Sequence, residues 1–171
     1  SGAVIGPDTS IGPNVVLYSG VEIGRNCQIG ANTVLSYALI GDHVEIGAGC
    51  IIGAAGFGFE MTEKGAVKLQ HLGLVRIDDS VSIGSGCAID RGSLGDTFIG
   101  AHVMMDNLCH IAHNVTIGPK SIIAGQCGIS GSVTVGKNVM MGGQVGVAPQ
   151  LTIGNVAVLT AKSGVTKSVE E

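Results

Sequence analysis

Residues 99–118, IGAHVMMDNLCHIAHNVTIG, decide the fold because a large apolar residue returns at every sixth position. These positions are Ile99, Met105, Ile111 and Ile117. The same period continues without interruption to Val165 and, with breaks, runs back to Ile5. A six-residue period predicts a parallel β-helix whose unit is one short strand and one corner. Three units form a coil of about 18 residues, so residues one coil apart should stack at about 4.8 Å, the spacing of paired strands.

The composition fits one solenoid domain. The chain has 171 residues, with 29 glycines and only 3% aromatic residues. A solenoid needs a thin aliphatic column and many tight corners, and glycine forms corners at little steric cost. A net charge of -4 offers no basic surface for nucleic acid. No apolar run approaches the roughly 20 residues of a membrane span. The sequence therefore predicts a single all-β domain over 1–171.

The five cysteines share one position in the repeat. Each lies four residues after an apolar repeat residue, where other units mostly carry Val, Thr or Ser. They are Cys27, Cys50, Cys87, Cys109 and Cys127. The pattern predicts small side chains buried in the coil rather than disulfides, redox centres or metal ligands. Reduced thiols are typical of cytoplasmic proteins.

The longest break in the period is residues 53–76, GAAGFGFEMTEKGAVKLQHLGLVR. It carries Phe57, Phe59 and Gln70 and keeps no six-residue phase. A loop of this length inside a compact domain is usually functional. It could equally be a small hairpin lying on the solenoid wall, and a hairpin can also border a cleft. We therefore expect one inserted loop at about 53–76.

A second break is the ten-residue step from Ile89 to Ile99, which contains Asp90, Arg91 and Asp96. Charged residues are scarce elsewhere on the repeats, so this cluster is a candidate for function. A solvated Asp–Arg pair at a corner explains it equally well, and the sequence leaves both interpretations open.

The candidate for chemistry is a vertical column at one corner. His113 lies two places after Ile111, and Gly131 lies one coil above it. Through the shortened steps below, Asp96 takes the matching place. The predicted column is a carboxylate, an imidazole and a backbone amide. Such a set could serve as an orienting group, a general base and an oxyanion donor, although a corner histidine is often without function.

A metal site is not expected. Carbonic anhydrase-like β-helices bind zinc through two histidines four residues apart and a third histidine about two coils earlier. Here His110 and His113 are three apart, and only His71 of the irregular loop lies near the earlier position.

Four segments resemble one family. They are residues 82–118, which include IDRGSLGDTFIGAHVMMDNLCHIAHN, then IIAGQCGISGSVTVG and MMGGQVGVAPQLTIG, and the loop with GFGF and Lys-Leu-Gln. The closing AKSGVTKS is similar as well. The family is the UDP-3-O-(3-hydroxyacyl)glucosamine N-acyltransferases of lipid A biosynthesis. The resemblance implies a left-handed parallel β-helix in a homotrimer, with active sites between subunits.

The resemblance also implies a reaction and its residues. A 3-hydroxyacyl chain passes from acyl carrier protein to the 2-amino group of a UDP-3-O-acyl-glucosamine. The catalytic base falls on His113 and the oxyanion amide on Gly131. Residues in substrate-contacting stretches are Asp106, Asn107, Asn114, Phe57, Phe59 and Gln70. The implied protein is cytoplasmic in a Gram-negative-type bacterium, and needs no cofactor or metal beyond the phosphopantetheine thioester of its co-substrate.

Further expectations concern the periphery. Met104 and Met140 are candidates to line the acyl groove, and Lys162 and Lys167 are candidates to dock the acidic acyl carrier protein. The family's N-terminal uridine-binding domain and C-terminal helical tail are expected to be absent from this chain.

Two positions depart from the family pattern. Gln150 follows Pro149 where the family carries a second active-site histidine, and Ala55 stands where Asp often precedes GFGF. A glutamine can hydrogen-bond but cannot carry a proton at neutral pH. Either Gln150 only orients the substrate, or the protein is an altered paralogue with a different acceptor. Two other functions also stay open: an acetyl-CoA-dependent nucleotide-sugar N-acetyltransferase, and a non-catalytic trimeric scaffold.

Overall fold

A computed structural model describes residues 2–170, and within that range the regular structure is entirely β. Most strands have two residues, as expected when each six-residue unit must also turn a corner. In chain order the strands are β1 (Val4–Ile5), β2 (Ser10–Ile11), β3 (Val16–Leu17), β4 (Glu22–Ile23), β5 (Gln28–Ile29), β6 (Val34–Leu35), β7 (Ala38–Ile40), β8 (Glu45–Ile46), β9 (Ile51–Ala55), β10 (Phe59–Thr62), β11 (Gly65–Lys68), β12 (Val75–Ile77), β13 (Ser82–Ile83), β14 (Ala88–Arg91), β15 (Thr97–Ile99), β16 (Met104–Met105), β17 (His110–Ile111), β18 (Thr116–Ile117), β19 (Ile122–Ile123), β20 (Gly128–Ile129), β21 (Thr134–Val135), β22 (Met140–Met141), β23 (Gly146–Val147), β24 (Thr152–Ile153), β25 (Val158–Leu159) and β26 (Gly164–Val165).

The strands stack into three parallel sheets, each of eight strands. The first sheet runs from β1 to β24, the second from β2 to β25, and the third from β3 to β26. Each strand pairs with the strand one coil later, so that Ile111 lies beside Ile129 and Ile129 beside Val147. The prediction of a parallel β-solenoid built from hexapeptide repeats is therefore confirmed.

Two residues of each unit point into the coil and form the core. In the unit that begins at β17 these are Ile111 and Val115, both fully buried. The first position stacks as an aliphatic column and the second as a column of small side chains. Burial of such side chains stabilises a protein by about 1.5–3 kcal/mol each for the larger ones. The narrow coil therefore has a continuous core without large aromatic residues.

The polar members of the column of small residues also form hydrogen bonds. All five cysteines are free and buried, as predicted. The Sγ–H of Cys127 donates to the carbonyl of Gly142 at 3.1 Å, and the hydroxyl of Ser121 donates to the carbonyl of Gly136 at 3.0 Å. Burial raises the pKa of the Cys127 thiol, which keeps it protonated as a donor. A small side chain that can satisfy a corner carbonyl of the next coil thus suits this position.

The corners use a left-handed backbone conformation at a regular interval. Non-glycine residues with φ near 60° recur every six residues along the uninterrupted stretch. The members of this series are His102, Leu108, Asn114, Lys120, Gln126, Ser132, Asn138, Gln144, Gln150, Val156 and Lys162. Asn tolerates this conformation better than most residues, whereas a β-branched residue is strained there. The corner rather than the strand therefore carries the backbone strain of the fold.

The break at residues 53–76 leaves the coil after β9 and returns at β12. It contains β10 and β11, which pair in antiparallel fashion with Phe59 opposite Lys68. All eight hairpin residues in these two strands are exposed. The segment that follows the hairpin is held on the wall by a hydrogen bond from Leu72 N to Ser93 O of 2.7 Å. The hairpin interpretation is therefore confirmed, and the hairpin lies beside a cleft described below.

Candidate active site

His113 lies at the corner between β17 and β18, directly beneath Gly131. Ser132 N donates to the carbonyl of His113 at 3.0 Å, which ties the two corners together. A Cβ on Gly131 would lie 2.8 Å from both Cε1 and Nε2 of the His113 ring, so any larger residue would displace the imidazole. The structure places this pair one above the other, as the six-residue period predicts.

The tautomer of His113 follows from its hydrogen bonds. Its Nδ1 lies 3.0 Å from Oδ1 of Asn114. That oxygen is identified because it accepts from the Ser93 backbone N–H at 3.0 Å and from the Ser93 hydroxyl at 2.8 Å. A carbonyl oxygen can only accept, so Nδ1 of His113 carries the hydrogen. The Nε2 lone pair beside Gly131 is then free to act as a base.

Asn114, not Asp96, orients the imidazole, and the predicted column is wrong at this point. Asp96 accepts a hydrogen bond of 2.7 Å from Leu74 N and pairs with the Arg76 guanidinium. The Leu74 N–H, followed by Arg76, lowers the pKa of Asp96. The break before β15 shifts the register between the two coils. As a result Asn114, and not His113, contacts the coil below, where its backbone N–H donates to the Thr97 hydroxyl at 2.9 Å. Asp96 therefore stabilises contacts within the first sheet and does not orient the His113 ring.

His71 also belongs to this corner, and sequence reasoning did not place it there. Its side chain is buried, with only 5% of the residue exposed. Its ring packs edge-to-face on His113, with ring centroids 5.2 Å apart and planes at 71°. The loop has no periodicity from which this contact could be deduced. The only available signal in the sequence was that the same loop carries both this histidine and several glycines. In the structure, Gly56 and Gly58 leave the space that the His71 ring occupies.

Asp90 and Arg91 are both buried and are not a solvated pair. The Arg91 guanidinium lies 3.4 Å above the centre of the Tyr37 ring and donates to Gly73 O at 2.6 Å. The nearest basic group to Asp90 is His110, with Nε2 at 3.8 Å from the carboxylate. Burial raises the pKa of the Asp90 carboxyl. The basic groups that oppose this rise are His110, His113, His71 and Lys68.

These side chains border two adjoining cavities. The larger, of about 780 Å³, holds His113, Gly131 and Gln150 on the solenoid side and Phe57 and Phe59 on the hairpin side. The smaller, of about 500 Å³, lies under the hairpin and includes Asp90, His110 and Lys68. The two phenylalanine rings border both cavities and meet edge-to-face, with centroids 5.1 Å apart. The hairpin therefore forms one wall of the cleft.

A row of three glycines forms part of the floor of the larger cavity. Gly128, Gly146 and Gly164 occupy the outward position of successive coils in the third sheet. A Cβ at any of them would meet no atom within 4 Å. An extended ligand could lie along this glycine floor and reach His113 with one end.

Other predicted site residues lie elsewhere in the chain. Asp106 and Asn107 form the corner between the second and third sheets, where Asn107 Oδ1 accepts from Ser85 N at 2.7 Å. They border a separate groove of about 540 Å³, together with Lys162. Gln70 is exposed on the loop beyond the hairpin. A single chain therefore does not bring Asp106 and Asn107 to His113, and Gln70 does not line the cavity that holds His113.

Met104 and Met140 lie on the outer face of the second sheet, in register with Ile122. All three are exposed. They form an apolar row on a different sheet from the glycine floor. Within one chain the methionines therefore do not line the cleft at His113.

Among residues 2–170, no group of three or more His, Cys, Asp or Glu side chains is arranged to hold a metal ion. The described part of the chain also has no helix with the length and apolarity that a membrane span requires.

Comparison with known proteins identifies the repeat. Residues 2–37 match the family model described as bacterial transferase hexapeptide (six repeats). Among solved structures, an Arabidopsis UDP-N-acetylglucosamine acyltransferase superposes with a TM-score of 0.74 at 26% identity, covering 98% of this chain and 65% of that one. A Francisella novicida UDP-N-acetylglucosamine acyltransferase has the same fold, with a TM-score of 0.70, 24% identity, and coverage of 98% and 62%.

Curated relatives with similar sequences share a more specific enzyme name. A UDP-3-O-acylglucosamine N-acyltransferase of Caulobacter vibrioides is 49% identical over 100 residues, which is 58% of this chain and 30% of the relative. One from Helicobacter pylori is 43% identical over 137 residues, or 68% of this chain and 41% of the relative. The chain thus spans less than half the length of these relatives. Over that span it is a hexapeptide-repeat β-solenoid that resembles the UDP-3-O-acylglucosamine N-acyltransferases.

Proposed function

We propose that this protein is an N-acyltransferase that moves a 3-hydroxyacyl chain from acyl carrier protein to the 2-amino group of a UDP-3-O-acyl-glucosamine. The observation that carries the proposal is the corner at which the free Nε2 of His113 lies against Gly131. The similarity to enzymes named UDP-3-O-acylglucosamine N-acyltransferases supports the choice of acceptor.

The mechanism is direct transfer between the two substrates. The amine nitrogen attacks the thioester carbonyl carbon while His113 Nε2 takes a proton from that nitrogen. The N–H of Gly131 makes no hydrogen bond to the described part of the chain, and it stabilises the negative oxygen of the tetrahedral intermediate. The C–S bond then breaks, and the proton on His113 passes to the leaving sulfur. An amide and a free thiol result, and no cofactor other than the phosphopantetheine arm is required.

The cleft offers a place for each part of the substrates. The glycine floor suits an extended acyl or pantetheine chain, because no side chain obstructs it. Phe57 and Phe59 provide apolar surface from the hairpin. Gln150 lines the same cleft and can orient a polar group of the substrate without carrying a proton.

In this proposal the chain is a left-handed β-helix that forms a homotrimer, and the complete site is shared between two copies. Asp106 and Asn107 lie on a different corner from His113, so a neighbouring copy has to bring them to the cleft. In that arrangement the apolar row with Met104 and Met140 faces the next subunit, where it can border the acyl chain. Lys162 and Lys167 provide positive charge for the acidic acyl carrier protein. Because this donor is a cytoplasmic protein, we place the reaction in the cytoplasm.

Measurement of thiol release tests the proposal. Wild-type protein should release thiol from a 3-hydroxyacyl-acyl carrier protein in the presence of the UDP-aminosugar, and much less from acetyl-CoA. His113→Asn should lower kcat by about 10²–10⁴-fold, the usual contribution of a general base. His102→Asn is the matched control, because His102 is an exposed corner histidine remote from the cleft.

The outcomes separate the alternatives. A preference for acetyl-CoA would favour a nucleotide-sugar N-acetyltransferase. Absence of turnover with either donor would favour a non-catalytic scaffold. Equal kcat for the wild type and His113→Asn would remove His113 as the base.

A further inference from the structure

The backbone fixes the position of His71 on both sides. Before it, Leu69 N donates to Gly58 O at 2.9 Å; after it, Leu72 N donates to Ser93 O at 2.7 Å. The backbone around His71 is thus bonded to the turn that precedes the hairpin and to Ser93, the residue that also donates to the Asn114 side chain. Although it belongs to an irregular loop, the position of its imidazole is determined by the fold.

The ring is packed against His113 with little space to spare. A Cβ on Gly56 would lie 2.9 Å from His113 Cβ and 3.0 Å from His71 Nε2. A Cβ on Gly58 would lie 2.9 Å from His71 Cε1. The two glycines therefore leave room for the two imidazoles, and His71 limits the movement of the His113 ring.

The nitrogens of His71 show that it does more than fill space. Its Nδ1 lies 3.2 Å from the carbonyl of Leu69, which can only accept, so Nδ1 carries the hydrogen. Its Nε2 is then an acceptor, and it is buried without a hydrogen-bond partner among residues 2–170. An unpaired buried acceptor costs about 1–3 kcal/mol, and a phenylalanine would fill the same volume without that cost. A histidine that only packed would therefore be a poor choice here.

We propose that His71 is a positioning residue for His113, which holds the ring plane by edge-to-face contact and favours the imidazolium that forms during acyl transfer. The Nε2 lone pair is the negative end of the His71 dipole. A Cβ on Gly56 would lie 3.0 Å from both His71 Nε2 and His113 Cδ2, so this nitrogen is on the side of the His71 ring that is close to His113. A fixed dipole next to a developing charge stabilises the transition state without reorganisation. The inference rests on the proposed function, in which His113 accepts the amine proton.

Charged groups from the neighbouring elements act on the same pair. Asp90 of β14 is within electrostatic reach of both rings and contributes in the same direction as the His71 dipole. His110 of β17 and Lys68 of β11 are basic and oppose it. A substitution at His71 should therefore leave these side chains in place, which calls for replacements of similar volume.

The test compares His71→Phe, which keeps a planar ring but has no nitrogen, with His71→Gln, which keeps a polar acceptor. Glu63→Gln at the exposed hairpin turn is the control. We expect His71→Phe to lower kcat by about 10–100-fold, the scale of a misplaced catalytic group, with KM changed by less than about twofold. His71→Gln should recover at least about threefold of that loss. Thermal unfolding of His71→Phe should occur within a few degrees of the wild-type temperature, since the loss of the Nδ1–Leu69 O hydrogen bond offsets the removal of the unpaired nitrogen.

Each result bears on the inference. Equal kcat for His71→Phe and wild type would overturn it, as would a loss confined to KM or a His71→Gln variant no better than His71→Phe. If His71→Phe does not fold, His71→Gln decides alone: kcat within about tenfold of wild type supports the inference, and complete loss overturns it. Wild-type protein without acyl transfer would overturn the proposed function together with this inference, so the two failures are distinguishable.

Discussion

Asn114 is the residue that most directly sets the chemistry of the corner. Its Oδ1 holds the hydrogen on Nδ1 of His113, and Ser93 in turn fixes that oxygen. Asparagine is also suited to the left-handed backbone at this corner, where φ is 60°. One side chain therefore meets a requirement of the fold and a requirement of the proposed base.

Asn114→Ala should consequently lower kcat by about 10–100-fold, because His113 loses the group that selects its tautomer. Asn138→Ala is the matched control, since Asn138 is a corner residue of the same kind with φ of 55°. Both variants should lose thermal stability, because alanine is strained in this conformation, and Asn114→Ala should lose more, because its side chain also bonds to Ser93 and Gly95. Equal kcat values for the two variants would show that Asn114 serves only the corner.

Asp90 should make the protein less stable than it could be at neutral pH. Burial raises its pKa in the folded state above the unfolded value, so its contribution favours folding at low pH and is lost as pH rises through the folded pKa. Asp90→Asn should therefore increase the free energy of unfolding at pH 7, and the gain should shrink as pH falls toward 3.8, the ordinary value for aspartate. Denaturant titration across this range measures the difference. A variant less stable than wild type at pH 7 would mean that His110 and the other basic neighbours outweigh burial.

At the scale of the element, the corners are where residue types are least suited to their backbone conformation. Val156 adopts φ of 61° although it is β-branched and 64% exposed. Such a conformation costs roughly 1–2 kcal/mol for an ordinary L-residue and is least suited to a branched side chain. We have no functional reason for a valine at this position.

Val156→Asn should therefore increase the free energy of unfolding by about 1 kcal/mol. Val158→Asn is the control, because Val158 is similarly exposed but lies in β25. The control should be neutral or destabilising, since asparagine is disfavoured in strands. Equal effects of both substitutions in denaturant titration would mean that exposure, not backbone strain, determines the result.

The elements also show what the sequence could and could not predict. Within an uninterrupted run, adding one coil length correctly stacked Gly131 on His113, because strand pairing keeps the register. Across the break before β15 the same arithmetic assigned Asp96 to the wrong column, since the irregular turn changes which corner residue faces the next coil. His71 could not be placed at all, because its position depends on a hairpin and a returning segment that follow no period. The cysteine position was predicted from its phase, but the thiol–carbonyl hydrogen bonds required coordinates.

At the scale of the whole molecule, the two halves of the proposed site lie on different corners of one chain. His113 and Gly131 border the cleft under the hairpin, whereas Asp106 and Asn107 border the groove that includes Lys162. A closed ring of three identical chains would bring one corner of each copy to another corner of the next. The proposed substrate contacts of Asp106 and Asn107 therefore depend on the proposed trimer.

Mixed assemblies test this requirement. His113→Asn and Asp106→Asn chains should each have little activity alone. Coexpressed, they should regain activity, because random mixing leaves roughly a quarter of the interfaces with both residues intact. Activity no higher than the sum of the separate variants would show that the site does not form between copies.

The most direct test of the central claim is a crystal structure of the protein with a non-hydrolysable acyl-pantetheine and the aminosugar. The account predicts the thioester carbonyl oxygen at about 3 Å from Gly131 N, and the acceptor amine at about 3 Å from His113 Nε2. A carbonyl bound away from the glycine floor, or an amine out of reach of that imidazole, would contradict it.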